Sequence, residues 1–261
     1  MIRTERHDDV TRFDMSTHRS RMAGLSVSAF LIRGVLIDCG FPAVAEEVGG
    51  LLLRERLDGV ILTHFHEDHA GNVETVAQRG IPIAAHPDTL ALVRAPRPLP
   101  LYRRFTWGEA PPMRTPCSPF DPEALVMIHT PGHSPDHHAV WDAATGTLFA
   151  GDLYLGVKVR VAHHYERPRQ LIASLRRVLA LEPARVFDAH RGLVRDPLVA
   201  LRAKLDWTES IVEAVLARAR DGAPVAHIAR EVFGARDMND FVSRGEYSRV
   251  NLVRAILADD A

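Results

Sequence analysis

Four side chains of the kinds that bind metal ions lie within six consecutive residues: His64, His66, Asp68 and His69. Neutral imidazole and ionised carboxylate are ordinary ligands of zinc and similar ions. The apolar run at residues 60–62 comes directly before them and predicts a β-strand that ends where they begin. In the loop after a strand, side chains can turn toward a common point. The residue types and their spacing therefore predict a metal centre.

The spacing within this loop also indicates how the four side chains divide. His64 and His66 are two residues apart and can converge on one ion. Residues 72–79 are predicted to form a short helix, so Asp68 and His69 lie where that helix begins. Adjacent residues on a helix diverge by about 100°. Asp68 and His69 therefore need not serve the same ion as the first pair and can face a second one.

Four more polar side chains stand at the ends of predicted strands: Asp38, His133, Asp152 and His190. The strands before them are predicted at residues 35–37, 125–130, 147–150 and 185–189. The pair Pro131-Gly132 predicts a turn that presents His133 at the end of its strand. Gly151 permits a close backbone approach beside Asp152. A sandwich of two sheets would bring all these strand-exit groups to one edge.

The elements that must position these groups alternate between strand and helix, as in a mixed α/β architecture. Further strands are predicted at residues 25–32, 60–63, 81–85, 138–142 and 157–162. Further helices are predicted at residues 42–57, 168–181, 196–222, 224–233 and 247–257. The first 18 residues are polar and charged, and no element is predicted there.

The stretch from residue 87 to 123 differs from the rest in composition. It contains eight prolines after residue 95, interleaved with Tyr102, Phe105, Trp107 and Phe120. The aromatic side chains need burial, so a loop-rich insertion is expected rather than disorder. Between residues 87 and 120, five arginines stand against two carboxylates. A cationic lid and a solvated surface loop explain that excess equally well.

Composition excludes several classes of protein. The chain has 261 residues, of which 46% are hydrophobic and 25% charged, with a formal net charge of −1. That charge supplies no overall attraction to nucleic acid or anionic membrane. The N-terminus has no apolar signal region, and no run is long enough to span a bilayer. Two cysteines, Cys39 and Cys117, make no disulfide framework. A cytoplasmic protein is expected, and no feature indicates an oligomeric state.

The order and wording of these motifs resemble the metallo-β-lactamase superfamily. The resemblance runs from Asp38 through residues 63–71, 130–133 and 151–152 to His190. It implies an α+β fold, a four-layer αβ/βα sandwich with a metal site at one edge of the sheets. Residues 1–200 would form the catalytic domain, with the lid insertion at 87–123. Residues 201–261 would form a helical, winged-helix-like C-terminal extension.

The resemblance also implies a ligand set for two metal ions, Zn²⁺ or alternatively iron or manganese. His64, His66 and His133 would hold the first ion, and Asp68, His69 and His190 the second. Asp152 would bridge the two, and Asp38 would support the ligands from behind. Two such ions lower the pKa of a shared water and generate a metal-bridged hydroxide near neutral pH. Asp68 would also relay a proton to the leaving group.

Departures from the branches of this superfamily narrow the expected activity. Asp152 stands where true metallo-β-lactamases lack a bridging aspartate, and His66 stands where the flavodiiron oxidoreductases have glutamate. The leading expectation is a hydrolase of a small ester, thioester or lactone. A phosphodiesterase or endoribonuclease is the alternative, and a single-iron sulfur dioxygenase is third. Nucleic acid is not favoured as a substrate, because residues 201–261 carry nine basic against ten acidic side chains.

The sequence also predicts the surroundings of several other side chains. Asp58 is expected to face water at a strand start, and Tyr154 to pack in the core. The run His163-His164-Tyr165 is expected to be exposed loop rather than pocket lining. Asp136, in the turn after His133, is expected to tolerate replacement by alanine. Replacing Arg103 or Arg104 by alanine is expected to change KM for an anionic or acyl substrate.

Overall fold

The computed structural model describes residues 1–235 and 238–258, which form two sheets flanked by helices. The strands are Ile2–His7 (β1), Val10–Met15 (β2), Val27–Ile32 (β3), Val35–Ile37 (β4), Gly59–Ile61 (β5), Ile83–Ala84 (β6), Val126–His129 (β7), His138–Asp142 (β8), Thr147–Phe149 (β9), Arg185–Asp188 (β10) and Gly192–Leu193 (β11). The first sheet has the order β1-β2-β3-β4-β5-β6, and the second has the order β11-β10-β9-β8-β7. Each sheet contains parallel neighbours, β4-β5-β6 in the first and β9-β10 in the second.

The helices lie mainly between these strands and after the last of them. They are His18–Met22 (α1), Ala45–Arg54 (α2), Glu67–Ala70 (α3), Val73–Gln78 (α4), Pro87–Arg94 (α5), Leu101–Trp107 (α6), Pro168–Leu179 (α7), Pro197–Arg220 (α8), Val225–Phe233 (α9), Met238–Val242 (α10) and Arg249–Ala258 (α11). No helix within the described residues is both long and apolar enough to cross a membrane.

Alternation along the strands creates four layers, because successive side chains of a strand point to opposite faces. On β4, Leu36 packs with side chains of α2 and α4, whereas Ile37 packs between the two sheets. On β9, Leu148 packs with side chains of α7 and α8, whereas Phe149 packs between the sheets. The order is therefore helices, sheet, sheet, helices. The predicted α+β sandwich with a helical C-terminal part is confirmed.

The parallel strands bring the polar strand exits to one edge. Asp38 directly follows β4, the 64–69 loop follows β5, and Asp152 and His190 follow β9 and β10. The carboxyl ends of parallel strands meet on the same side of a sheet, and packing two sheets face to face joins the two sets. Strand direction thus explains why the candidate site lies at this edge of the sandwich.

Several predicted elements are wrong. Residues 157–162 form no regular strand; Ala162 makes one isolated antiparallel bridge with Ser248 instead, because this segment runs past the C-terminal helices rather than along a sheet. The first 18 residues contain the β1–β2 hairpin, whose polar outer strand gave no hydrophobic signal. The insertion contains two helices, α5 and α6, and Phe105 is 56% exposed although burial was expected.

The division of the chain at residue 200 stays a prediction. The long helix α8 begins at Pro197, and its residue Leu201 packs in the same cluster as sheet residue Leu148. Beyond it, α8, α9 and α11 share a separate apolar cluster that includes Val215, Ile228 and Leu252. The C-terminal helices therefore have a small core of their own and also contact the sandwich.

Replacing Phe149 by alanine is expected to lower the free energy of unfolding by about 3–5 kcal/mol. The ring is fully buried between the sheets and stacks on Phe187 at a centroid distance of 5.5 Å. Its removal loses apolar burial and leaves a cavity. Leu53→Ala is the control, because Leu53 is 76% exposed and surface changes are usually within about 0.5 kcal/mol. Equal denaturant midpoints for the two variants would contradict this packing.

Candidate metal centre

Three imidazole nitrogens converge at the sandwich edge. His66 Nδ1 lies 2.9 Å from His64 Nε2 and 3.0 Å from His133 Nε2. The carboxylate of Asp152 completes the group, with Oδ2 3.2 Å from His133 Nε2. One ligand atom from each of these four buried residues lies within 4.8 Å of the others. Residues separated by up to 88 positions in the sequence thus surround one point.

A second group lies beside the first. Asp68, His69 and His190 each offer one atom within 4.8 Å of the others, and Asp68 Oδ2 is 3.4 Å from His190 Nε2. The second oxygen of Asp152, Oδ1, lies 3.2 Å from His69 Nε2 and 3.4 Å from His190 Nε2. Asp152 therefore has one carboxylate oxygen at each group. The structure brings together all seven side chains that the sequence singled out.

Hydrogen bonds on the outer side of the rings fix which nitrogen faces the centre. His69 Nδ1 donates to Asp38 Oδ2 at 2.7 Å, and His190 Nδ1 donates to the carbonyl of Ser26 at 2.7 Å. The Thr63 hydroxyl donates to Asp38 and so accepts from His64 Nδ1 at 3.0 Å. A neutral imidazole carries hydrogen on only one nitrogen. When each of these rings is neutral, Nε2 therefore presents a lone pair to the centre, as metal ligation requires.

Burial and charge also fit a cation. Burial lowers the pKa of His133 to about 3 and that of His64 well below its usual range, so both imidazoles are neutral and available to bind a cation. His69 Nε2 and Asp152 Oδ1 are buried without a hydrogen-bond partner among the described residues. Burial alone would lower the pKa of His190, but Asp152 and Asp68 outweigh it and raise the pKa to about 9. The centre favours positive charge, and its donor set fits divalent metal ions.

The backbone at the centre adopts conformations that its sequence permits. Gly151 has φ +50°, and a Cβ atom there would lie 2.6 Å from His137 Nε2. That nitrogen accepts from the backbone N–H of Asp152 at 3.0 Å. The glycine thus allows His137 to hold Asp152 in place. The close approach predicted beside Asp152 is confirmed.

Asp38 contacts one of the proposed ligands, His69, from the outer side of its ring. It is buried and accepts from the backbone N–H of Thr63 at 2.8 Å, besides its bond from His69 Nδ1. Asp58 is exposed, and Tyr154 packs in the core cluster between the second sheet and its helices. The predictions for those two side chains are therefore confirmed.

The prediction for the run from 163 to 165 is partly wrong. His164 is exposed, but His163 is buried and Tyr165 reaches the centre, with its hydroxyl 2.7 Å from His66 Nε2. His163 stacks on Tyr165 with the ring planes 4° apart. About 100 residues separate Tyr165 from His66, so no local spacing could have indicated the contact.

The surroundings of Asp136 contradict the prediction that this residue tolerates replacement by alanine. Asp136 is fully buried and accepts from the backbone N–H of Phe65, Thr89 Oγ1 and Ser134 Oγ, so its replacement would leave several donors unsatisfied. The Arg103 guanidinium lines the cavity and binds both carboxylate oxygens of Glu67 at 2.7 and 2.5 Å, and the effect of its replacement on KM stays a prediction. The sequence identified neither pairing.

A cavity of about 750 Å³ opens beside the centre. Phe65, Glu67 and Tyr165 line it on the side of the metal-ligand loop. Residues 92–100 and 110–112 of the insertion line it on the other side, with Leu92, Val93, Leu99 and several prolines. The walls are mainly apolar, and the insertion forms one wall of a pocket that borders the 64–69 loop through Phe65, Glu67 and Tyr165.

Comparisons with known proteins agree with this geometry. A family model described as the metallo-beta-lactamase superfamily matches residues 22–190. A Drosophila melanogaster protein named beta-lactamase-like protein 2 homolog is 28% identical over 219 residues, which cover 72% of this chain and 68% of that protein. A hydroxyacylglutathione hydrolase of Alkalilimnicola ehrlichii is 31% identical over 193 residues, which cover 69% of this chain and 67% of that protein.

The fold has close counterparts among solved structures. The crystal structure of a metallo-beta-lactamase family protein from Thermus thermophilus superposes with a TM-score of 0.70 and 20% sequence identity, and the match covers 97% of this chain and 94% of that chain. The superposition includes the C-terminal helices as well as the sandwich, since it covers nearly the whole chain.

Proposed function

The chain belongs to the metallo-β-lactamase superfamily and is a metal-dependent hydrolase, and on that premise we propose that it uses two divalent cations, preferably Zn²⁺, to hydrolyse a small ester, thioester or lactone. The position of Asp152 is the main support for a binuclear site, because its Oδ2 lies near His133 in the first group and its Oδ1 lies near His69 in the second. Histidine-rich sets favour zinc, while iron or manganese would also be accommodated.

The ligand roles follow the two groups. His64, His66 and His133 would hold one ion, and Asp68, His69 and His190 the other, with Asp152 shared between them. Ions bound there would supply Lewis acidity and lower the pKa of a water molecule so that it attacks near neutral pH. Seven protein ligands leave room for such a water, because four-coordinate zinc needs only three protein ligands each.

Two side chains would assist the chemistry directly. The Asp68 carboxylate stands at the second group, 3.8 Å from His69 Nε2, where it can accept a proton from the attacking water and deliver it to the leaving group. Tyr165, whose hydroxyl bonds to His66 Nε2, lines the cavity and would face a substrate bound there. The buried site excludes bulk water, which strengthens both effects.

The surroundings favour a carbonyl substrate over a phosphodiester. The cavity walls are apolar, which suits an acyl group. Arg103 and Arg104 are paired with Glu67 and Glu109, so two of the five arginines in the insertion offer no free cation for a phosphate track. Two relatives carry names of thioester hydrolases, the hydroxyacylglutathione hydrolase and an atrochrysone carboxyl ACP thioesterase of Aspergillus fumigatus.

A panel of chromogenic esters, thioesters, lactones and phosphodiesters tests this proposal. We expect the zinc-loaded protein to turn over one of the carbonyl classes with kcat/KM at least tenfold above that for any phosphodiester. A single-stranded RNA oligonucleotide is included at physiological salt. Specific cleavage of that RNA, lost in Asp68→Ala, together with inert carbonyl substrates would overturn the choice in favour of an endoribonuclease.

A further inference from the structure

Glu246 lines the cavity and lies where three separate segments of the chain meet. It belongs to the loop between α10 and α11, in the C-terminal extension. Its Oε2 accepts from the Tyr102 hydroxyl at 2.5 Å, and its Oε1 lies 3.4 Å from His163 Nδ1 and 3.7 Å from Arg103 Nη1. Tyr102 and Arg103 belong to α6 of the insertion, and His163 belongs to the loop after Asp152. One carboxylate therefore joins the extension to both other segments.

Two of these three contacts, those with Arg103 and His163, lead to the loop at residues 64–69 through one more side chain. Arg103, whose side chain is 11% exposed, lies between Glu246 and Glu67, and Glu67 directly precedes Asp68 in α3. His163 stacks on Tyr165, whose hydroxyl bonds to His66 Nε2. Arg103 keeps Glu67 as its partner when Glu246 is removed, so the direct tie between Glu246 and α6 is the hydrogen bond from the Tyr102 hydroxyl. The position of α6 is therefore tied to Glu246.

The loop that presents Glu246 is held in its own conformation. Asn251 Nδ2 donates to the carbonyls of Gly245 and Glu246 at 3.0 and 2.8 Å. Ser248 and Ala162 exchange two backbone hydrogen bonds of 3.1 Å each, which fixes the loop to the segment before His163. Little conformational freedom remains to be lost when Glu246 binds its partners. The extension thus offers a preformed anchor.

We propose that Glu246 is a positioning residue for substrate binding, which holds α6 so that the insertion keeps its wall of the 750 Å³ cavity in the binding-competent position. This inference rests on the proposed function, because it concerns the pocket of that same site. When only a fraction of molecules has the competent wall, the apparent dissociation constant rises in inverse proportion to that fraction. Glu246 therefore acts on substrate affinity, and the chemistry remains with the metal centre.

Steady-state kinetics separate these effects. We expect Glu246→Ala to raise KM about 10-fold, because the variant loses one charge-assisted hydrogen bond. Its kcat should stay within about threefold of that of the parent enzyme. Glu246→Gln keeps an acceptor for Tyr102 but loses the charge, so its effect should be smaller. Glu213→Ala, at an exposed site on α8, is the matched control in the same extension. Zinc content should be equal in all variants.

Amide hydrogen exchange tests the same anchor without any substrate. Exchange in α6 should accelerate at least fivefold in Glu246→Ala. The same is expected for Tyr102→Phe, which removes the hydroxyl that donates to Glu246. Exchange should not change in Glu213→Ala. This result stands even if no carbonyl substrate is found, so it is distinguishable from failure of the proposed function. Unchanged exchange in α6, or a fall in kcat with KM unaffected, would overturn the proposal.

Discussion

Replacing Asp68 by alanine is expected to lower kcat by a factor on the order of 10² or more. The side chain is 10% exposed, and its Oδ2 lies 3.4 Å from His190 Nε2 at the second ligand group. Its removal takes away a proposed ligand and the proposed proton acceptor together. Folding should survive, because the apolar clusters on both sides of each sheet do not include the Asp68 side chain. Turnover of the best substrate and the denaturant midpoint measure the two expectations.

Two companion variants make the Asp68 result specific. Asp68→Asn keeps an oxygen that can bind a cation but removes the proton acceptor, so it should retain zinc and still lose turnover. Asp58→Ala is the control, because Asp58 is an exposed carboxylate next to strand β5. Asp136 cannot serve as a control, since it is buried and accepts three hydrogen bonds. Activity near that of the parent enzyme in Asp68→Ala would show that the site has been misassigned.

Zinc reconstitution is expected to load close to two ions per chain, and chelation is expected to abolish turnover. The seven converging side chains and the two facing oxygens of Asp152 are the reason. Bound metal should also stabilise the folded protein, by about 2.7 kcal/mol when free zinc is 100 times the dissociation constant. Elemental analysis and thermal unfolding with and without chelator measure both effects.

Asp152→Asn tests whether that carboxylate is shared. Two cations a few ångströms apart repel each other, and Asp152 supplies the negative charge between them. We expect the variant to bind its second zinc ion at least tenfold more weakly, so that the content after dialysis falls toward one. Asp142→Asn offers a buried comparison away from the centre, where Asp142 pairs with Arg33 at 2.9 Å. One ion or none in the parent protein after reconstitution would contradict the binuclear proposal.

Local patterns in the sequence were sufficient to predict the strands that precede the polar groups, and the resemblance to the superfamily implied the sandwich that joins those groups. The strands containing Ile37 and Ile61 appear in the sequence as short continuous apolar runs, and such signals depend only on neighbouring residues. Each proposed ligand directly follows such a strand or lies in the loop after it. Parallel strands end on the same side of a sheet, so the groups at their ends lie at one edge. The positions of the strand ends therefore already indicated which side chains would form the centre.

Local patterns failed where an element had no hydrophobic signal of its own. The outer strand β1 is polar, and α6 lies among prolines, so neither was predicted. Residues 157–162 had the composition of a strand, but the C-terminal loop at Ser248 supplies their pairing instead of a sheet. Tertiary contacts outweighed propensity in each case.

The sequence by itself determined the family, the fold class and the seven side chains that the structure groups around one centre, because those features reside in short contiguous motifs. Only the tertiary structure decided that Tyr165 reaches His66, that Arg103 is bound to Glu67, and that Glu246 joins the extension to the insertion. These partners are 36 to 144 residues apart in the chain. No spacing rule connects residues at such separations, since their contact depends on how the layers and loops pack together.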